Sequence, residues 1–406
     1  MGSAGFLPDK KNSMDERDSA IICLHAAPIR DGHMGGLEFS VPALVSAQHH
    51  LGGRVALLVT ARHGRVTRDL PFPVFHAADF GWRHCLSALP KPFNRPHLVN
   101  LHSTYIPLHA WIAVCARKNR IPYVVTPRGG MSRLALAHKR SKKRLGNLLF
   151  FDRLIRHAAA VHCLTAGEQL QVLRWGRPTF VVPNGIDMPL TQDPVMLIDG
   201  FTREVQGTKQ NVLFLFLGRI STKIKGLDLL LSGLAWARRS RDGQRARLWI
   251  VGPDPFRDKA DLRNMAQRLG IADAVVFGVP VSGLEKRAIF RAADVFVHTS
   301  RTEACPTSVL EALSWGLPCL LTPGTNIADD VVAAGAGWRA EGTAESIGRA
   351  ILKAISAEED RRAMGQNARR LVERSYTWEI IARQTLVHYA EIVGSQSRPF
   401  HEDGSA

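Results

Sequence analysis

The stretch RTEACPTSVLEALSWGLP (residues 301–318) sets two glutamates, Glu303 and Glu311, eight positions apart around Pro306, Thr307 and Ser308. An apolar run, ADVFVHTS (293–300), precedes it, and a second, LPCLLTP (317–323), closes it. Pro306 suits the first position of a helix, where its missing N–H would have no partner in any case. Gly316 and Pro318 mark the end of that helix. The segment therefore reads as buried strand, loop, short helix, buried strand, with Glu303 in the loop and Glu311 in the second helical turn. Helical side chains tilt back towards the N-terminus, so both carboxylates address one mouth. In open α/β sheets ligands bind at that mouth, beyond the carboxyl ends of the strands. The N–H groups near Thr307, Ser308 and Val309 would attract phosphate or hydroxyl oxygens there. By spacing alone the pair is equally a set of solvated surface charges. Its place after a buried strand is what argues for a ligand.

The same rhythm extends in both directions. AIICLHA (20–26), RVALLVT (54–60), HLVNLH (97–102), PYVVTP (122–127), AVHCLT (160–165) and TFVVP (179–183) are short apolar runs separated by amphipathic stretches. A turn-rich break at 184–210 follows. Then come NVLFLFLG (211–218), ARLWIVG (246–252), AVVFGVP (274–280) and the two runs flanking the glutamates. Continuous apolar strands alternating with helices are the mark of parallel sheets covered on both faces. The expected fold class is α/β, with two doubly wound, Rossmann-like parallel-sheet domains. Boundaries are expected at 19–188 and 189–375, with disordered tails at 1–18 and 396–406. A last helical pattern, 376–395, carries Ile380, Ile381, Leu386, Tyr389 and Ile392 at helical spacing.

Composition narrows the function classes. The 406 residues are 45% hydrophobic and 22% charged, as in a soluble globular protein. No apolar run reaches the ~18 residues of a membrane span. The N-terminus lacks a signal-peptide core, so a cytoplasmic protein is expected. Six cysteines without a C-x-x-C pair argue against a disulfide framework or a zinc site. The net charge of +17 is uneven: residues 1–190 carry 25 Lys/Arg against 11 Asp/Glu, whereas 191–406 carry 28 against 25. The first half is thus expected to face something anionic.

With these residues in place, E-ACPTSVL-E-ALSWGLP resembles the signature of retaining glycosyltransferases of family 4, in which E-x₇-E is followed by a short helix and G-x-P. Those enzymes have the GT-B fold, two Rossmann-like domains facing across a cleft, with a C-terminal helix returning to the first. The resemblance runs from about residue 20 to 395. It implies that Glu311 holds the ribose hydroxyls of a nucleotide and that Glu303 contacts the donor sugar. Cys305-Pro306 stands where many members carry Phe-Gly, which places sugar specificity there.

Other candidates follow from the same reading. In LFLGRISTKIKGLDLLL (215–231), Arg219 and Lys225 follow a strand end. A guanidinium fork and an ammonium point charge suit a diphosphate whose charge grows as the glycosidic bond breaks. G-R-x₅-K-G resembles the family's diphosphate clamp. Gly35-Gly36, after the first strand, permits close approach of backbone to a ligand; it resembles the family's loop beside the donor phosphate. Phe277 and Gly278 fall where the family's backbone meets the nucleotide base. His102, at the end of a first-domain strand, matches a position beside the reacting sugar and could orient a hydroxyl or shuttle a proton. His25 and His109 are weaker rivals. No D-x-D pair follows a strand, so no metal or other cofactor is expected.

Residues 126–158 contain nine Lys/Arg and one Asp, with Leu145, Leu148, Leu149 and Ile155 at helical spacing. Such a helix, spanning about 133–156, either lies on an anionic membrane surface or packs its stripe on the sheet. The PRGGM string resembles family members that build bacterial surface polysaccharides, which would put Arg128 near the acceptor. The expected partners are a UDP- or GDP-sugar and a saccharide or polyprenyl-diphosphate-linked acceptor. Nucleic acid is not expected, since no zinc finger, RRM signature or aromatic-studded basic run occurs. The rival functions are another GT-B enzyme, such as a sugar-nucleotide epimerase or a phosphorylase, and a non-enzymatic basic membrane- or nucleic-acid-binding protein.

Overall fold

The computed structural model describes residues 21–31, 36–62, 65–80, 86–131, 151–189 and 210–396. The apolar runs become strands because every residue in them can be buried. All six residues of β1 (Ile22–Ala27) and of β8 (Val212–Leu217) are inaccessible. The first sheet continues with β2 (Arg54–Val59), β3 (Val74–His76), β4 (Leu98–His102), β5 (Tyr123–Thr126), β6 (Ala160–Cys163) and β7 (Thr179–Val181). The second continues with β9 (Ala246–Val251), β10 (Val275–Phe277), β11 (Val295–His298), β12 (Cys319–Leu321) and β13 (Gly337–Arg339). Every pairing is parallel.

The strand orders are β3-β2-β1-β4-β5-β6-β7 and β10-β9-β8-β11-β12-β13. In each sheet the order reverses beside the first strand, between β1 and β4 and between β8 and β11. Loops leaving those neighbours diverge to opposite faces and open a crevice at the carboxyl ends. His102 ends β4. Arg219 and Lys225 follow β8, and Glu303 follows β11. Apolar clusters cover both faces of each sheet. The two strands that the sequence pattern did not reveal, β3 and β13, are edge strands of three residues, none fully buried. A half-exposed edge has no continuous apolar run to betray it.

The chain crosses between the domains twice at one place. Ile186 N donates to Tyr376 O at 2.8 Å, and Ile186 bridges Thr377. Gly185 is required there, because a Cβ would lie 2.6 Å from the Trp378 ring. The helix Trp378–Gln396 then sinks Ile381, Leu386 and Tyr389 into the first-domain core. Its Ile380 is half-buried and Ile392 packs at the margin. Most of the basic stretch, including Leu145, Leu148 and Leu149, lies outside the described residues. Its end forms the short helix Asp152–Arg156, with Ile155 buried.

Candidate active site

The helix after the first glutamate spans Thr307–Ser314. Pro306 is its N-cap rather than its first helical residue, one position from the expected start. Val309 N donates to Pro306 O at 3.1 Å. This corrects the expectation that Val309 offers a free N–H to a ligand: a turn-closing bond consumes it, and Val309 itself is fully buried. Thr307 and Ser308 are half-buried at the helix start.

Each glutamate is paired with a lysine from a different element. Lys225, at the end of the short helix Thr222–Lys225, donates through Nζ to Glu303 Oε1, and Ser300 Oγ donates to the same oxygen at 3.2 Å. Lys286, in the helix Gly283–Ala292, donates to Glu311 Oε1 at 2.6 Å. All four side chains are largely shielded, with relative accessibilities of 11% and 17% for Lys225 and Glu303, and 32% and 17% for Lys286 and Glu311. The two carboxylates respond differently. Burial opposes ionisation of Glu303, yet Lys225, His298 and Ser300 hold it below the usual carboxylate range. Glu311 has Lys286 as its one cationic partner among the described residues, and burial raises it.

The Glu303 loop is fixed from below. Asn326 Nδ2 donates to Glu303 O. Thr299 Oγ1 donates to Gly226 O at 3.0 Å. Gly226 adopts φ +63°, and a Cβ there would lie 2.2 Å from Thr299 O, so only glycine lets Lys225 reach this depth. Arg219 is exposed, its guanidinium 5.9 Å from the Phe256 ring. Phe277 ends β10 beneath the Arg263 guanidinium, 5.4 Å away. Gly278 O accepts from Lys259 Nζ at 2.8 Å, and a Cβ on Gly278 would meet Trp249 at 3.0 Å. Gly36 begins the helix Gly36–His50 and is exposed, with nothing among the described residues within 4 Å of a Cβ. Gly35 lies outside the described residues.

The first domain buries a different constellation. His102 is wholly inaccessible. Its Nδ1 accepts from Arg128 Nε at 3.2 Å, because a guanidinium can only donate. Its Nε2 therefore carries the proton and donates to His25 Nδ1 at 2.9 Å. His25 Nε2–H donates to Gln48 Oε1 at 2.8 Å, and Gln48 Nε2 donates to Thr385 Oγ1 at 2.8 Å. Thr385 ends the chain on Ile381 O and Ala382 O of the return helix. The hydrogen bonds thus run in one direction from the cleft to the C-terminal helix. Desolvation keeps the imidazoles neutral: His25 falls to about 4, and His102, beside Arg128 as well, falls well below its ordinary value. His109, in the helix Pro107–Lys118, is buried apart from that chain; it accepts from Thr60 Oγ1 at 2.9 Å and is also lowered to about 4 by burial.

Arg128 stands at the cleft end of that chain with φ +52°. It donates to Ser40 Oγ at 2.8 Å and to Asn184 Oδ1 at 3.0 Å. Asn184 in turn donates to Cys305 O at 3.3 Å, across the domain boundary. Glu168 Oε1 accepts from Gly129 N at 2.5 Å and its Oε2 from Leu164 N at 2.8 Å, which ties down the loop carrying Arg128. Three contributors were not visible to pattern reading. Lys286 lies 25 residues from its partner on another helix. Asn184 read only as a turn. Glu168 had a usable signal, since Thr165-x-x-Glu168 is a capping-box pattern at a helix start.

Residues 16–185 match the family model described as "Glycosyl transferase 4-like domain", and residues 200–371 match "Glycosyl transferases group 1". The two matches fall on the two parallel-sheet domains, whose architecture is that of the GT-B fold. Each model covers less than half of the chain, and together they span most of it. The chain is 26% identical over 190 residues to an uncharacterized glycosyltransferase of Methanocaldococcus jannaschii, covering 47% of each chain. It therefore spans about half the length of that relative. It is 24% identical over 403 residues to a D-inositol 3-phosphate glycosyltransferase of Paenarthrobacter aurescens, covering 92% of this chain and 98% of that one. Among solved structures, the chain superposes on Anabaena HepE, crystallised with UDP and glucose, with a TM-score of 0.67. The two are 18% identical, over 91% of this chain and all of that one. None of the helices among the described residues is long and apolar enough to cross a membrane.

Proposed function

We propose that the protein moves a sugar, with retention of anomeric configuration and without a metal, from a nucleotide-sugar donor to a saccharide or lipid-linked saccharide acceptor, in cell-surface polysaccharide synthesis. One observation carries the reading: two shielded carboxylates at the crevice of the second sheet, each neutralised by a lysine from a separate element. Such pairs hold charge ready to be shared with a ligand. Glu311 takes the ribose hydroxyls and Glu303 a hydroxyl of the donor sugar. Lys225, with Arg219, offsets the negative charge that grows on the departing diphosphate. Thr307 and Ser308 offer N–H groups beside it. Support comes from the two family models and from HepE, a neighbour of the same fold that holds UDP and glucose.

On the first-domain side Arg128 faces the acceptor. His102 has both ring nitrogens engaged, so we assign it the positioning of Arg128 rather than proton transfer. The test is a thermal-shift screen of UDP- and GDP-sugars. A true donor at 100 times its Kd adds about 2.7 kcal/mol of stability. The reading is overturned if no nucleotide sugar stabilises the protein. Efficient epimerisation of a donor without acceptor would overturn it equally.

A further inference from the structure

The first domain contains a cavity of about 1060 Å³ on one face of its sheet, opening beside the carboxyl ends of β1 and β2. That is slightly above the usual range for ligand sites, roughly 300–1,000 Å³. One wall is the helix Pro107–Lys118. This helix buries Ile112, Ala113 and Ala116 towards the sheet, which accounts for one apolar stripe. It carries a second: Leu108, Trp111 and Val114 line the cavity, and Val114 is 38% exposed. A helix of a globular domain needs only one such stripe; in the second, Leu108 and Trp111 are half-buried against the core margin while also lining the cavity, and Val114 is exposed. The polar group at the floor is already spent, since Thr60 Oγ1 donates to His109.

The rim is cationic. Arg30 and Arg62 stand at the end nearest the crevice, just beyond β1 and β2. Arg117 and Arg153 stand at the other end, beside Tyr123 and Leu154. No carboxylate lines the cavity among the described residues. An apolar trough ringed by arginines matches a molecule with a hydrocarbon tail and an anionic head. Guanidinium forks suit a phosphate or diphosphate head in particular.

We infer that this cavity binds a monomeric anionic amphiphile, an alkyl or isoprenyl phosphate or diphosphate. Its tail lies along Leu108, Trp111 and Val114 and its head lies at Arg30 and Arg62. This rests on the sugar-transfer reading in one respect only, that the head end faces the crevice where an acceptor would be glycosylated. The tail selects lipid-linked acceptors over free saccharides.

The probe is farnesyl diphosphate, titrated calorimetrically into the full chain, with inorganic diphosphate and farnesol as the head-only and tail-only controls. Farnesyl diphosphate is expected to bind at least tenfold more tightly than either. Ala110→Trp, which fills the trough, is expected to weaken it at least tenfold. Arg30→Gln with Arg62→Gln is expected to weaken it about tenfold, and Arg117→Gln with Arg153→Gln much less. Unchanged unfolding midpoints show that the variants fold. The proposal is overturned if Ala110→Trp leaves the affinity intact. It is overturned if inorganic diphosphate binds as well as the isoprenoid. Equal losses at the two arginine pairs would overturn the assigned orientation. Nucleotide-sugar binding is measured on the same samples. Farnesyl diphosphate binding without it defeats the sugar-transfer reading and leaves the cavity site standing; the converse defeats the cavity site alone.

Discussion

The crevice end of the first sheet buries histidines, and the crevice end of the second buries carboxylates. His102, His25, Gln48 and Thr385 are neutral and joined in one hydrogen-bonded chain headed by Arg128, with both nitrogens of each imidazole engaged. Glu303 and Glu311 are held by lysines whose ammonium groups have further donors to give. The first arrangement resembles a frame: it fixes Arg128 and pins the C-terminal helix to the domain. The second is a set of charges balanced for exchange with a ligand. Stability should therefore depend mainly on the first region and donor chemistry mainly on the second.

The largest effect separating them is the response to acid. His25 and His109 are depressed to about 4 by burial, whereas an unfolded histidine titrates near 6.5. As pH falls, the unfolded chain takes up those protons first. The stability is fully present above roughly pH 6.5 and is lost as pH drops from there towards about 4. The steepest slope is about 1.4 kcal/mol per pH unit for each histidine. Denaturant melts from pH 7.5 to 4.5 should show this decline, and a flat profile would break the frame assignment.

Next in size is Lys225→Ala. It removes countercharge from the departing diphosphate and leaves Glu303 without its main partner. Turnover is expected to fall roughly 10²–10³-fold, measured as kcat with the donor found by the stability screen. A change confined to KM would instead assign Lys225 to ground-state binding.

Lys286→Met should act more weakly. Burial already raises Glu311, and removing its only lysine raises it further. Nucleotide affinity at pH 7 is expected to drop about tenfold, near the ~1.4 kcal/mol of one charge-assisted bond. The acid limb of the binding profile should move to higher pH. An unmoved limb would mean that Glu311 does not titrate in the bound site.

How much of this was open to reading from the sequence follows the same division. Parallel strands announce themselves because burial on both faces demands unbroken apolar runs. β8 is VLFLFL for that reason, and the E-x₇-E pair is contiguous in the chain. The half-buried edges β3 and β13 carry no such demand. His102 was placed correctly at the end of β4, but the hydrogen-bonded chain it belongs to draws on positions 25, 48, 128 and 385, which only the fold brings together. His25 and His102 are not rivals but bonded neighbours, and His109 stands apart from them on the helix Pro107–Lys118. Lys286 was invisible because exposed-looking lysines at helix starts are common. Its depth is set by how the helix Gly283–Ala292 lies against the one bearing Glu311.

The smallest predicted effect concerns the exception to the comparison. His298, in the second domain, is fully buried between Phe216 and Phe296, and neither ring nitrogen has a hydrogen-bond partner among the described residues. His298→Leu is expected to be neutral or to stabilise by up to about 1 kcal/mol, since it removes an unsatisfied buried polar group. A loss comparable to that of His25→Leu, about 2–4 kcal/mol for two stranded partners and a lost contact, would show that the second domain also relies on a histidine frame.

The most direct test of the division is calorimetric titration of UDP and GDP into the wild type and Glu311→Gln, with thermal unfolding of both. The carboxylate is predicted to contribute donor affinity and little stability. The preferred nucleotide should bind the variant roughly 10–100-fold more weakly, with the unfolding midpoint nearly unchanged. Equal affinity for the nucleotide in both proteins would contradict the account.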